Sequence, residues 1–166
     1  NIFLSKQFVP WLKASGLTGG VVVSPGVAYL ENARIYAEEL SADLAALSKE
    51  RDYSQPNTVF RSNLIGEVAG KDILLVDDII DTAGSVVAAI ETLKDEGAQN
   101  ITAACVHPVL SEPAWDRLSA LNARAQREGW DFKLVGTTSI HHSDAPDWYF
   151  EFQIEKLVAA VLEKIN

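Results

Sequence analysis

One segment constrains the fold of this 166-residue chain more than any other. Between residues 71 and 97, an apolar run, an acidic pair and a small-residue turn follow one another. The run at residues 71–76 is typical of a strand buried on both faces of a parallel sheet. Apolar residues then recur at helical spacing until Gly97, a suitable C-terminal stop. The segment therefore predicts a strand, a loop and a helix, with the loop at the sheet edge where open α/β sheets bind ligands.

The second half of this loop has the composition of a phosphate-binding turn. Its backbone N–H groups and two hydroxyls can face one anion, helped by the positive end of the helix dipole. Gly84 allows close approach of a ligand to the backbone. The residues that would form this turn are Thr82, Ala83, Gly84 and Ser85.

The first half of the loop supplies acceptors. Asp77 and Asp78 are adjacent carboxylates, and ionised carboxylates accept hydrogen bonds from vicinal hydroxyls. Together with the phosphate-binding turn, they suggest ribose 5-phosphate as the ligand. An acidic pair can also merely cap the following helix. The whole ten-residue string at 76–85 favours the sugar phosphate.

Elsewhere, strand and helix patterns alternate along the chain. This alternation predicts an α/β fold with a mostly parallel sheet flanked by helices, forming a single domain over residues 1–166. Strands are predicted at 20–24, 44–47, 59–66, 73–77, 101–106 and 133–137, and helices at 4–15, 30–40, 84–96, 112–127 and 154–165. The loop at 49–57 lacks either periodicity and is predicted to be a mobile lid. The aromatic cluster at 148–152 predicts an edge strand or a subunit contact.

Charge and composition exclude some functions. The net charge of −9 argues against broad nucleic-acid binding, which uses a basic face. No apolar run approaches the roughly 18 residues of a membrane span, and no basic leader precedes a hydrophobic segment. We therefore expect a cytoplasmic protein without nucleic-acid or membrane partners. Cys105, the single cysteine, is predicted to be a buried structural thiol. His141 and His142 are not predicted to bind a metal, since adjacent side chains point apart.

The string at 76–85 resembles the sugar-phosphate loop of phosphoribosyltransferases, and most of all that of ribose-phosphate pyrophosphokinases. Three further segments, at 42–51, 63–71 and 103–111, carry the same likeness. The resemblance covers residues 1–140 and implies a type I phosphoribosyltransferase-like fold. It also implies a reaction for nucleotide biosynthesis. In that reaction the β,γ-diphosphoryl group of ATP is transferred to the 1-hydroxyl of ribose 5-phosphate, giving phosphoribosyl diphosphate and AMP.

The resemblance implies a role for each matching residue. Asp77 and Asp78 would hold the 2- and 3-hydroxyls of the ribose. The 5-phosphate would be bound by Asp81, Thr82, Ala83, Gly84 and Ser85. Lys49 and Arg51 match a catalytic pair that closes over the transferring phosphates, although the residues alone would suggest a solvated charge pair. The cofactor would be Mg²⁺, no side chain is assigned as its ligand, and the assembly is expected to be a homo-oligomer.

Two departures from the family pattern limit this interpretation. The chain is about half the family's length, so we expect the carboxyl-terminal half of a two-domain protein. The absent half would hold most of the adenine pocket and a catalytic His, so the isolated chain should be inactive. In addition, Gly26 stands where the family has an Asp, and Ala28 and Tyr29 stand where it has paired glycines. On the diphosphate side of the site, these changes mean either that the diphosphate is bound differently or that the protein is a weakly active relative or a non-catalytic regulatory subunit. A phosphoribosyltransferase that glycosylates a base is a further alternative, which would share the sugar loop but need a base-binding hood.

Overall fold

Residues 5–51 and 60–155 are described in a computed structural model, with the backbone alone for residues 5, 6, 49–51 and 60–62. The strands are β1 (Val21–Ser24), β2 (Asp43–Arg51), β3 (Phe60–Ile65), β4 (Ile73–Ile80), β5 (Ile101–Pro108), β6 (Phe132–Thr137) and β7 (Tyr149–Phe152). The helices are α1 (Ser5–Ala14), α2 (Leu30–Leu40), α3 (Gly84–Asp95) and α4 (Ala114–Glu128), with one 3-10 turn at Val27–Tyr29.

The described strands form one seven-stranded sheet in the order β3-β2-β1-β4-β5-β6-β7. Every neighbouring pair is parallel except β2 and β3, which are antiparallel. The predicted α/β fold with a mostly parallel sheet is therefore confirmed. From β1 the chain runs outward through β2 and β3, and it then crosses back to β4 on the other side of β1. The carboxyl ends of β1 and β4 thus flank the switch point at which such sheets bind ligands.

Burial on both faces of the sheet explains the continuous apolar run in β4. Ile73 and Leu75 belong to the core cluster that contains residues of α3 and α4. Leu74 and Val76 belong to the cluster that contains residues of α1 and α2. All four side chains are at most 1% exposed. Full burial of each such side chain contributes about 1.5–3 kcal/mol, so β4 ties the two helical layers together.

Three strands, β2, β4 and β5, extend further toward their carboxyl ends than the sequence patterns predict, and β5 continues to Pro108. β4 continues to Ile80 because its end still pairs with β5, where Ile80 lies opposite Pro108. β2 continues to Arg51 through its antiparallel pairing with β3, so the prediction of a loop from Lys49 onward is wrong for the first three residues. The rest of the predicted lid, residues 52–57, lies outside the described residues.

The carboxyl-terminal part of the chain agrees with one prediction and leaves another untested. The aromatic cluster at 148–152 contains β7, which is the edge strand beyond β6 and so confirms that prediction. The helix predicted at 154–165 lies almost wholly outside the described residues. Within the described residues, no helix combines the length and apolar character that crossing a bilayer requires.

Cys105 lies in the middle of this core. Its side chain is fully buried in β5, as predicted, and burial raises the pKa of its thiol well above the ordinary value. Since the thiolate is the reactive form, both effects protect this cysteine from electrophiles.

We predict that iodoacetamide alkylates Cys105 in the folded protein at least about 1,000-fold more slowly than in denaturant. The physical reason is that a core strand opens at a free energy near that of global unfolding, about 5–15 kcal/mol. Time-resolved mass spectrometry at constant pH measures both rates. Equal rates would show that β5 is not part of a stable core.

Candidate functional site

A pocket of about 180 Å³ lies where β4 meets α3, at the carboxyl edge of the sheet. Its lining consists of Asp77, Ile79, Ile80, Asp81, Thr82, Ala83, Gly84, Ser85 and Val86. The structure therefore brings together six of the seven residues predicted to bind a sugar phosphate. The seventh, Asp78, is exposed and is not among the lining residues.

The start of α3 forms one side of this pocket. Ala83 precedes the helix in a left-handed conformation, with φ 59° and ψ 3°, and its side chain is buried in the core. Its carbonyl already accepts the first helical bond, from the N–H of Val87 at 3.0 Å. The N–H groups of the first helical turn have no partner within a helix. Gly84 and Ser85 are exposed and line the pocket at this helix start, an arrangement that suits a phosphate.

The acidic pair is held in place by backbone hydrogen bonds. The N–H of Asp78 donates to Oδ1 of Asp77, and the N–H of Ile79 donates to Oδ1 of Asp78, both at 2.9 Å. The strand also changes face here, because Leu75 and Ile80 belong to the same core cluster despite their odd spacing. Asp77 thereby lines the pocket from a half-buried position, whereas Asp78 stands exposed beside it.

Tyr29 belongs to this site, although the sequence patterns mark it only as a departure from the family. It ends the 3-10 turn that follows β1, next to β4, and it packs half-buried against the second core cluster. The pKa of its hydroxyl is raised to about 12, mainly by burial and to a smaller extent by the charges of Asp78 and Asp77. Tyr29 is therefore a neutral hydrogen-bond donor within electrostatic reach of the acidic pair.

The turn before Tyr29 does not require a glycine at position 26. The backbone of Gly26 is extended, with φ −171° and ψ 158°, a conformation that any residue adopts. A Cβ atom added there would meet no atom within 4 Å. The turn is shaped instead by buried Ser24, whose hydroxyl donates to the Gly26 carbonyl at 2.6 Å. An Asp at position 26 would therefore fit without strain.

The side chains of Lys49 and Arg51, predicted to be catalytic, lie outside the described part of the chain. Their backbone positions follow from strand register. Through β1, Ala45 lies level with Leu75, and Lys49 comes four residues after Ala45. Its backbone thus reaches the level of Ile79, two strand spacings or about 10 Å away. The backbone of both residues lies toward the sheet edge that carries the pocket.

Arg117 is a site residue that sequence patterns do not reveal. It lies in the first turn of α4, and its Nη1 donates to the carbonyl of Thr82 at 2.8 Å. The two residues are 35 positions apart, so no motif connects them.

A protein-built magnesium site is not supported by the described residues. No three His, Cys, Asp or Glu side chains among them are grouped so as to hold a metal ion. Gly26 also lacks the carboxylate that the family pattern carries at that position. Mg²⁺ therefore stays a prediction that the resemblance implies.

Most of the chain is similar in sequence to known proteins. The sequence pattern described as "Phosphoribosyl transferase domain" matches residues 17–152. A ribose-phosphate pyrophosphokinase of Bacillus caldolyticus is 42% identical over 157 residues, covering 93% of this chain and 47% of that protein. Its counterpart in Campylobacter jejuni is 38% identical over 120 residues, covering 72% of this chain and 38% of that protein. The chain thus spans less than half the length of these relatives.

A solved structure gives the same result for the fold. The crystal structure of phosphoribosylpyrophosphate synthetase from Mycobacterium smegmatis superposes with a TM-score of 0.72 at 28% sequence identity. The match covers 87% of this chain and 44% of that one. The predicted resemblance to ribose-phosphate pyrophosphokinases and the predicted type I phosphoribosyltransferase-like fold are both confirmed.

We predict that the titration midpoint of Tyr29 falls when Asp77 and Asp78 are both changed to Asn. It should remain above the ordinary tyrosine pKa of about 10, because burial is the larger cause. Nuclear magnetic resonance of ¹³C-labelled tyrosine measures the midpoint, with Tyr29→Phe to assign the signal. An unchanged midpoint would show that Tyr29 lies too far from the acidic pair to belong to this site.

The raised pKa of Tyr29 also determines how the stability of the fold depends on pH at high pH. Because the folded pKa of Tyr29 is raised, the protonated phenol stabilises the fold fully below about pH 10. That contribution is lost as the pH rises through about 12.

Proposed function

The chain belongs to the phosphoribosyl transferase domain family, and on this premise we propose that it is the sugar-phosphate-binding domain of a ribose-phosphate diphosphokinase. The whole protein would transfer a diphosphoryl group from ATP to ribose 5-phosphate and so form phosphoribosyl diphosphate. The relatives from Bacillus caldolyticus and Campylobacter jejuni carry the name of this activity. Their greater length supports a further domain that completes the ATP site.

One observation carries the proposal. Asp77 and residues 81–85 line a single pocket at the switch point of the sheet. Carboxylate acceptors therefore stand beside helix N–H groups that have no acceptor within the helix, and this is the pairing that a sugar phosphate requires. The hydroxyls of the ribose donate to carboxylate oxygens, and its phosphate accepts from backbone N–H groups.

The residues of the chain would act by binding and orienting the substrates. Asp77 and Asp78 hold the two ribose hydroxyls, and their fixed backbone contacts keep the carboxylates in place before the ligand arrives. The loop at 81–85 holds the 5-phosphate, which leaves the 1-hydroxyl directed away from α3. Lys49 and Arg51 would neutralise charge on the transferring phosphates. In phosphoryl transfer, such positioning and charge stabilisation supply most of the rate enhancement.

Mg²⁺ would reach this site bound to the phosphates of ATP, since it keeps several waters and takes only one or two carboxylates from a protein. A cytoplasmic location stays a prediction from the composition of the sequence, and a homo-oligomeric assembly stays a prediction as well.

We predict that the chain binds ribose 5-phosphate and that Asp77→Asn with Asp78→Asn lowers the affinity at least about tenfold. The amides keep the side-chain shape and can still accept the backbone N–H bonds, but they lose charge-assisted acceptors worth about 1.5–3 kcal/mol each. Isothermal titration calorimetry measures the dissociation constants.

The matched control changes Asp95 to Asn and Glu96 to Gln at the far end of α3. Both residues of this adjacent pair are exposed, and their substitution removes the same charge from the chain as the Asp77/Asp78 variant does. The control should bind like the wild type. Equal affinity of the Asp77/Asp78 variant and the wild type, at equal melting temperature, would contradict the ribose assignment.

A second candidate, a non-catalytic regulatory subunit, is favoured by the turn after β1. Gly26 lacks the carboxylate of the family pattern, and half-buried Tyr29 replaces a glycine where bare backbone would approach a diphosphate. A domain with these changes can still bind the sugar phosphate through α3. It would lose the contacts on the diphosphate side.

The regulatory candidate predicts background AMP formation by the full-length protein, assayed with Mg²⁺ and free of any partner. It further predicts that Gly26→Asp with Tyr29→Gly raises this activity by orders of magnitude. Position 26 accepts the new side chain without strain, which makes the variant a fair test. Val27→Asp is the control, because it adds the same charge at a neighbouring residue that is 63% exposed. Robust AMP formation by the wild type would rule out the regulatory candidate.

A further inference from the structure

The phosphate-binding turn is held from outside by a residue of another helix. Arg117 reaches from the first turn of α4 to the carbonyl of Thr82, with Nη1 at 2.8 Å from the oxygen. A Cβ atom added to Gly84 would stand 3.3 Å from the same Nη1. The guanidinium therefore lies against the turn on both sides of Ala83, the residue that changes the chain direction into α3.

The start of α4, which carries Arg117, is fixed by burial in the core. The neighbours of Arg117, Ala114 and Leu118, are both fully buried and fix the start of α4 in the core that also contains α3. A fixed helix that carries a charged donor can hold a loop in one conformation, because only the Arg side chain itself has to be ordered.

The charge of Arg117 also matters at this position. Among the described residues that line the pocket, Asp77 and Asp81 carry carboxylates and none carries a positive charge. A phosphate that enters beside two carboxylates meets repulsion, which a guanidinium within a few ångströms of the turn opposes.

We propose that Arg117 is a positioning residue for the pocket. It holds the Thr82 carbonyl so that the N–H groups at the start of α3 stay directed at the phosphate, and it offsets the negative charge of the lining. The identity of the ligand rests on the proposed function, whereas the hold on the turn does not. Arg117 itself need not contact the substrate.

Three variants separate this role from a general effect of charge or stability. Arg117→Met removes the charge and the donors but keeps an apolar stem of similar length. Arg117→Lys keeps the charge and loses the planar fork. Arg127→Met is the matched control, since this exposed residue lies on the same helix, ten residues or about 15 Å further along.

Hydrogen exchange of the ligand-free protein tests the hold on the turn. We expect the amides of residues 82–86 to exchange about tenfold faster in Arg117→Met. The Arg117→Lys protein should be intermediate and the Arg127→Met protein unchanged. Amides in the middle of β5 serve as the reference for global stability and should not change. Unaltered exchange at residues 82–86 in Arg117→Met would overturn the proposal.

Calorimetry with ribose 5-phosphate tests the consequence for binding. The affinity should fall about tenfold in Arg117→Met, recover in part in Arg117→Lys and stay at the wild-type level in Arg127→Met. Faster exchange with unchanged affinity would reduce Arg117 to a structural contact and overturn the proposal. If the wild type fails to bind ribose 5-phosphate, the proposed function is overturned, and the exchange experiment alone then confirms or rejects the hold of Arg117 on the turn.

Discussion

The rest of the structure depends on the burial of β4 between two helical layers. Its alternate side chains enter two separate core clusters, so the strand cannot shift by one residue without exchanging the two sets. This fixed register determines where the strand leaves the core, at Asp77, and hence where the acidic pair stands. The parallel partners β1 and β5 then bring the ends of their own strands to the same edge. A binding site at this edge follows from the packing of the core.

On the proposed function, the site attracts anionic substrates to a chain with a net charge of −9. Long-range attraction cannot do this, because the field of the whole chain has the wrong sign and is screened beyond about 10 Å. The attraction has to be local, and the structure offers two local sources. One is the set of N–H groups at the start of α3, and the other is the guanidinium of Arg117 behind the turn. Both lie at the turn formed by residues 82–85.

The turn after β1 carries the residues that depart from the family pattern, among them Gly26 and Tyr29. Tyr29 brings a neutral phenol within electrostatic reach of Asp77 and Asp78, whose charges help to raise its pKa. The extended backbone of Gly26 leaves the position open to an acidic side chain. On the proposed function, Gly26→Asp with Tyr29→Gly would change the side chains of the diphosphate side without backbone strain at position 26.

The sequence by itself determined the fold class and the centre of the site. The apolar run at 73–76, the acidic pair and the small-residue turn are local signals, since burial on both faces and helix initiation depend on neighbouring residues. Local signals do not determine where a strand ends. The apolar run predicts an end at residue 77, whereas pairing with β5 extends β4 to Ile80. Arg117 and Tyr29 joined the site only in the tertiary structure. The reason is that helix packing and strand order, which local patterns do not encode, bring Arg117 to Thr82 and Tyr29 to the end of β4.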